Sequence, residues 1–331
     1  MPELRKDPVV GRWVIIAQER GKRPSDWGQE SPFVQNGPCP FCPGNEDKTP
    51  PAILSDPEHK KNEWQVRVVP NKYPALQIEG SLKKRGEGLY DLMNGIGAHE
   101  VIIESPDHNS EFADYSVYQI ANILTVYKNR IVDLKNDVRL KHILIFKNHG
   151  RAAGASLKHS HSQLIATPIL PKRVQEELEG ARSHFQLKER CVFCDIIYQE
   201  LADGKRIVAE NDSFVCLAPF AARFPYELWI LPRDHFSHFE HIDGEQLIEL
   251  AALLKDALER LSIVLASPPY NFVIHSYPIQ EKQALDYHWH IEIIPQLTKV
   301  AGFEWGSGFY INPVAPELSA MELRDAAKTA L

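Results

Sequence analysis

Hydrophobic and polar positions along this chain form two patterns. Short apolar runs of strand length, bounded by polar and turn residues, lie in WQVRVVPNKYPAL (64–76), HEVIIESPDH (99–108), LKHILIFKNHG (140–150), NDSFVCLAPFAARFP (211–225), YELWILPRDH (226–235) and YNFVIHSYP (270–278). These predict strands. Steps of three and four link Val117, Ile120, Leu124, Tyr127, Ile131 and Leu134, and again Leu247, Leu250, Leu254, Leu258 and Leu261. These predict two amphipathic helices. The elements then recur in order. CPFC (39–42), a strand, a strand ending in SPDH, a helix, a strand and KHSHSQLIATP (158–168) are followed by CVFC (191–194), a strand, a strand ending in PRDH, a helix, a strand and YHWHIEIIPQ (287–296). An internal duplication follows, and with it an α+β fold of two fused halves, each a mainly antiparallel sheet with a packed helix. The halves are divided as 1–185 and 186–331. Between them PKRVQEELEGARSHFQLKER (171–190) reads as a helix rather than a flexible linker, so the halves are expected to pack as one unit.

Composition narrows the partners. The chain has 331 residues, 44% hydrophobic and 24% charged, with a formal net charge of -7 and no block of Lys or Arg. That argues against a duplex nucleic-acid footprint or an anionic membrane patch. MPELRKDPVVGRWVIIAQ lacks the layout of a signal peptide, and no apolar run approaches the roughly 20 residues of a membrane span. A cytoplasmic protein is expected. Of the five cysteines, Cys216 in FVCLAPF reads as a small buried apolar residue, while the others form two C-x-x-C pairs. In a reducing compartment such pairs hold metal more often than disulfides. The prolines and glycine of CPFCPGNED predict a turn, not the helix start of a thioredoxin-like redox pair.

Matching the halves aligns ligand types. Cys39 and Cys42 are joined by His108 of SPDH and by His159; Cys191 and Cys194 are joined by His235 of PRDH and by His288. The interval from His108 to His159 differs by two residues from that between His235 and His288. Each set is Cys2His2, which suits zinc in a structural, four-coordinate site. A surface or capping role for His108 or His235 is the competing reading. In an extended segment His159, His161 and Gln163 share one face. Taken alone, this could mean two ligands, a ligand beside a reactive group, or two polar residues on a wet face. If His159 completes the metal set, His161 is left over on a rigid support, placed for nucleophilic chemistry. The symmetric candidate is His290. Gln163 follows His161 and can donate to phosphoryl oxygens, whereas Glu292 follows His290 and would repel them. His161 is therefore preferred; His290 with Glu292 is left to the second metal site or to substrate. Gly150, Gly154 and Ser156 offer backbone N–H groups to an anion. Arg20 and Arg23 present guanidinium forks, or simply a solvated basic turn.

HSHSQ resembles the H-P-H-G-Q string of the galactose-1-phosphate uridylyltransferase family, a branch of the histidine triad superfamily, and the likeness extends over nearly the whole chain. The resemblance implies metal binding by His159, a covalent nucleophile at His161 and a phosphoryl contact at Gln163. It also implies metal ligation by Cys39, Cys42 and His108. Arg20 and Arg23 match an R-x-K-R-P segment that reaches phosphate across a dimer interface, so a homodimer is implied as well. Asn148, Gly154 and Ser156 fall where the family surrounds the nucleotide phosphates, and Asn71 where it contacts the nucleoside. Several positions depart from the pattern. Lys72 and Tyr73 replace the aspartate and phenylalanine after Asn71, Gly302 stands where a lysine meets the hexose phosphate, and H-S-H-S replaces H-P-H-G. These features resemble the plant-type ADP-glucose phosphorylase branch. The implied reaction is double displacement on a nucleoside diphosphate sugar. Uridylyl transfer between UDP-glucose and a hexose 1-phosphate is the leading expectation, with phosphorolysis of ADP-glucose as the alternative. A nucleotide hydrolase and a non-enzymatic zinc-binding module are the competing classes.

Overall fold

The computed structural model describes residues 2–18, 37–57 and 63–329. The chain enters through β1 (Glu3–Lys6) and β2 (Trp13–Ile16), then runs through β3 (Leu54–Asp56), β4 (Val66–Pro70), an exposed hairpin of β5 (Arg85–Glu87) and β6 (Tyr90–Leu92), and β7 (Ala98–Ile103). Helix α1 (Val117–Leu134), β8 (His142–His149) and β9 (His161–Thr167) complete the first series, and α2 (Lys172–Lys188) and α3 (Val192–Asp203) lead to the second. There β10 (Ile207–Glu210), β11 (Phe214–Leu217), β12 (Leu228–Pro232), α4 (Gly244–Leu265), β13 (Tyr270–His275) and β14 (His290–Pro295) repeat the plan before α5 (Gly302–Ser307), β15 (Tyr310–Asn312) and α6 (Pro316–Thr329).

Among the described residues ten strands form one sheet in the order β10-β11-β12-β14-β13-β8-β9-β7-β4-β3. Every neighbouring pair is antiparallel. Read outward from the central β8-β13 seam, the two sides have the same sequence of elements. That palindrome is the duplication seen in the hydrophobic pattern. Hydrogen bonds continue across the seam, from Tyr270 opposite His149 to Ile274 opposite Ile145. The point 185/186 lies inside α2.

Alternation assigns the faces. Val66, Val68, Ile102, Ile145 and Leu164 on one side, and Phe214, Cys216, Ile230, Phe272 and Ile291 on the other, turn toward α1 and α4 and form one buried core with them. Each such side chain contributes roughly 1.5–3 kcal/mol by leaving water. Both helices begin at polar caps: Ser116 Oγ accepts the Gln119 N–H, and Asp243 accepts the Gln246 N–H within a capping box. The alternate positions of β7, β9, β12 and β14 face away from these helices. There lie the polar residues singled out by the motifs.

The predicted strands are all shorter than the segments that announced them. The strand predicted over 64–76 stops at Pro70, and that over 211–225 stops at Leu217, because prolines at 70, 74 and 219 cannot donate to a ladder. The strand expected from Lys158 starts at His161, leaving His159 in the bend before it. The second C-x-x-C differs from the first. Cys191 sits at the N-cap of α3, whereas Cys39–Cys42 lies in a turn. No helix among the described residues is long and apolar enough to cross a membrane.

Candidate active site and metal clusters

Cys39, Cys42, His108 and His159 converge in one cluster, and Cys191, Cys194, His235 and His288 in a second, with all ligand atoms of each within 4.8 Å of one another. In the first, Cys42 Sγ lies 3.3 Å from His108 Nδ1 and 3.6 Å from His159 Nδ1, and Cys39 Sγ 3.6 Å from His159 Nδ1. In the second, Cys194 Sγ lies 3.4 Å from His235 Nδ1 and 3.6 Å from His288 Nδ1. Tetrahedral zinc with sulfur and nitrogen ligands places neighbouring donors roughly 3.3–3.8 Å apart. The tautomers fit as well. His159 Nε2–H donates to the Ser105 carbonyl (2.8 Å), His288 Nε2–H to the Pro232 carbonyl (2.8 Å) and His235 Nε2–H to the Ala284 carbonyl (2.9 Å). Each bond leaves an Nδ1 lone pair facing the cysteines. Both clusters thus have the donors and the outer hydrogen bonds that a structural metal needs.

His161 opens β9 immediately beyond the first cluster and is 6% exposed, at the base of a cleft lined by Asn148, Gly150, Ala155 and Ser160. Its Nδ1–H donates to the His159 carbonyl (2.8 Å), so its Nε2 carries the free lone pair. The edge of Phe41, between the two cysteines of the first pair, packs against its ring at 5.3 Å. Burial, reinforced by the Lys147 ammonium, pushes the His161 pKa down to about 4. At neutral pH the ring is uncharged, with the Nε2 lone pair open to the cleft.

Behind the strand, on the helix-facing side, lies a buried ion pair. Lys147 Nζ donates to Glu104 Oε2 (2.5 Å), to Ser160 Oγ (2.8 Å) and to the His161 carbonyl (3.2 Å). Ser160 Oγ donates to the same carboxylate, and Tyr127 OH lies within reach of both Glu104 and Ser162. Lys147 is 1% exposed and Glu104 fully buried, so each charge depends on the other. Lys147→Met should lower stability to denaturant by about 3–5 kcal/mol, and adding Glu104→Leu should restore most of it. A loss under about 1 kcal/mol in the single variant would show that the pair is not energetically coupled.

The remaining predicted residues divide by position. Gln163 follows His161 on the same face, and its Oε1 is 2.9 Å from His99 Nε2. Asn71 lies in the turn after β4 with its Nδ2 3.1 Å from that imidazole. Asn148 borders the cleft; its Oδ1 accepts from Asn271 Nδ2 (2.8 Å), which leaves its own amide N–H2 as donor. Gly154 has φ +92°, the left-handed conformation that favours glycine, in the loop before His159. The three loop amides are not equivalent. Gly154 N–H is used on the Arg151 carbonyl and Ala155 N–H on the Gly150 carbonyl, which leaves Ser156 N–H as the one without a backbone partner among the described residues. Arg20 and Arg23 lie outside the described residues.

In the second half, His290 occupies the place of His161 but faces a different environment. Its ring stacks on His275 (4.6 Å, 5°), and its Nε2 lies 3.6 Å from Glu177 of α2. Glu177, His275 and His290 form a third group able to hold a metal. Burial opposes both charges, yet each stabilises the other: Glu177 and Glu292 hold His275 up to about 10, and His275 and His290 hold Glu177 down to about 2. Glu292 pairs with Arg223 and lies 3.4 Å from His275 Nε2, and it is not among the four donors of the second Cys2His2 cluster. Sequence reasoning missed His99, Glu104, Lys147, Glu177 and His275. His99 and Glu104 do bracket the β7 alternation, but only cross-strand register brings them to Gln163 and Lys147.

Comparison with known proteins gives a consistent placement. A family profile described as the N-terminal domain of galactose-1-phosphate uridyl transferase matches residues 1–171, and one described as a domain of unknown function matches 97–331. The chain is 42% identical to ADP-glucose phosphorylase of Arabidopsis thaliana over 99% of its length and 94% of the relative. It is 30% identical to galactose-1-phosphate uridylyltransferase of Thermotoga maritima, covering 98% of each. Its fold superposes with a TM-score of 0.85 on the crystal structure of an ADP-glucose phosphorylase from Arabidopsis thaliana with bound ADP-glucose, at 39% identity and 98% coverage of both chains.

Proposed function

The chain belongs to the galactose-1-phosphate uridylyltransferase family, and from that membership we propose a two-step nucleotidyl transfer centred on His161. It is a nucleotidyltransferase acting on sugar nucleotides. The observation that carries the assignment to His161 is the placing of its free Nε2 at the base of the cleft beside Asn148 and Ser160. Its counterpart, His290, points at a carboxylate.

In the first step His161 Nε2 attacks the α-phosphorus of the bound nucleotide sugar. The N–P bond forms as the Pα–O bond to the β-phosphate breaks, and the sugar 1-phosphate leaves. The imidazole becomes cationic, and its Nδ1–H remains on the His159 carbonyl, which stabilises that charge. Gln163, the Asn148 amide and the Ser156 N–H donate to the phosphoryl oxygens, with Arg20 and Arg23 added from a homodimer partner. In the second step an oxygen of the acceptor attacks the same phosphorus and releases His161. Cys39, Cys42, His108 and His159, and Cys191, Cys194, His235 and His288, would each hold a zinc ion, which would be structural and supply rigidity, since four protein donors leave no position for substrate. On this reading residues 1–185 carry the nucleophile, and 186–331 buttress it.

The greater identity to the ADP-glucose phosphorylase, and Lys72 where the aspartate of the uridylyltransferase pattern is missing, favour ADP-glucose as donor and inorganic phosphate as acceptor. UDP-glucose with a hexose 1-phosphate is the second reading, supported by the family profile and the Thermotoga relative. Incubation with ADP-glucose and UDP-glucose together, without acceptor, followed by intact mass measurement, separates them. An adenylyl adduct released as ADP by phosphate is expected. A uridylyl adduct released only by a hexose 1-phosphate would select the second reading, and no adduct from either donor would overturn both.

A further inference from the structure

A short series of hydrogen bonds connects the turn after β4 to Gln163. The Asn71 side-chain oxygen accepts the Tyr73 N–H (2.9 Å), so the end of Asn71 facing His99 is its amide nitrogen, a donor. Ala75 N–H donates to His99 Nδ1 (3.1 Å). An imidazole nitrogen that accepts carries no proton, so the neutral ring of His99 holds its proton on Nε2. Two groups lie within reach of that proton. Asn71 Nδ2, at 3.1 Å, cannot accept it, whereas Gln163 Oε1, at 2.9 Å, can. The amide oxygen of Gln163 is therefore held, and its N–H2 has no protein partner among the described residues.

We infer that His99 is a positioning residue that fixes the orientation of the Gln163 amide, so that its N–H2 rather than its oxygen faces the phosphoryl group on His161. The inference rests on the assignment of Gln163 to that phosphoryl group. An unheld glutamine exchanges donor for acceptor by turning over about its last bond. Half of its orientations would then set a partial negative charge against anionic oxygens. The other half of the molecule offers a contrast at matched register. Val101 pairs with Gln163, and Trp229 with Glu292, so Glu227 stands where His99 does. There Arg223 bridges Glu227 and Glu292. An amide directed as a donor belongs only to the half that carries His161.

The test is a double-mutant cycle on the rate of covalent adduct formation in a single turnover, run with ADP-glucose and with UDP-glucose, alongside the dissociation constant of each sugar nucleotide. Gln163→Ala is expected to slow adduct formation by roughly 10²-fold. His99→Phe, which keeps an aromatic ring and removes both nitrogens, should slow it about tenfold and leave the dissociation constant within about twofold. Together they should be no slower than Gln163→Ala alone. Full additivity, or an unchanged rate in His99→Phe while Gln163→Ala is slow, would overturn the inference and leave the role of Gln163 standing. An unchanged rate in Gln163→Ala would remove both. Nitrogen-15 NMR of the histidines in the unmodified protein decides independently of how the variants fold: the Nε2–H tautomer of His99 is expected, and the Nδ1–H tautomer refutes the proposal.

Discussion

His161→Asn is expected to abolish the covalent nucleotidyl adduct and to reduce turnover on the order of 10⁴- to 10⁶-fold, the scale seen when a nucleophile is removed from a covalent mechanism. Asparagine is shorter and, being an amide, has no nucleophilic nitrogen lone pair. The change leaves Phe41, the His159 carbonyl and the Lys147 pair in place, so folding should be little affected. Intact mass after incubation with donor reads the adduct directly, and His290→Asn provides the matched control on the other side of the seam. That control should retain the adduct, because His290 Nε2 faces Glu177 beneath α2. An adduct that survives in His161→Asn and vanishes in His290→Asn would exchange the roles of the two histidines and refute the mechanism.

Removal of the first metal cluster should have the largest effect on structure. Cys39→Ser with Cys42→Ser takes both sulfur donors from a site where each lies 3.6 Å from His159 Nδ1. Structural zinc contributes about 10–16 kcal/mol in small peptides, and a whole domain is stable by only about 5–15 kcal/mol. Even a fraction of that value is large here. The double variant should bind about half the metal, unfold at a markedly lower temperature and form no adduct, since the bend at His159 sets the start of the strand that carries His161. Metal analysis with thermal unfolding checks this. Unchanged metal content and unfolding temperature would show that the cluster binds nothing.

The two halves were legible because a duplicated hydrophobic pattern is visible twice, and each copy corroborates the other. Val117 and Leu134 mark the ends of α1 in the sequence, and they are its ends in the structure. Ligand convergence was legible for the same reason, since C-x-x-C, P-x-D-H and H-x-H recur in one order. What the pattern could not supply is register. A lysine in LIFKNHG reads as a solvent-facing residue until Ser162 is set opposite it and Glu104 is brought to the neighbouring strand end. His99 is an ordinary strand histidine until the β7-β9 pairing sets Val101 across from Gln163. Glu177 sits in a helix whose pattern says only that one side is buried, not that it covers His290. Arg20 and Arg23 lie outside the described residues, so their role rests on the resemblance alone.

The small sheet has a consequence for how the protein is made. Strand β2 pairs antiparallel with β1 and parallel with β15, so residues near the start of the chain lie beside Tyr310–Asn312. A ribosome adds about 5–20 residues per second and releases the chain from its N-terminal end. The strands around His161 have all emerged, with their local antiparallel partners, long before β15 does. The second edge of β2 thus waits for its partner until the whole ten-stranded sheet has emerged, and closure of the small sheet comes late. Until then the exposed edge of β2 is an unpaired strand of the kind that molecular chaperones shield.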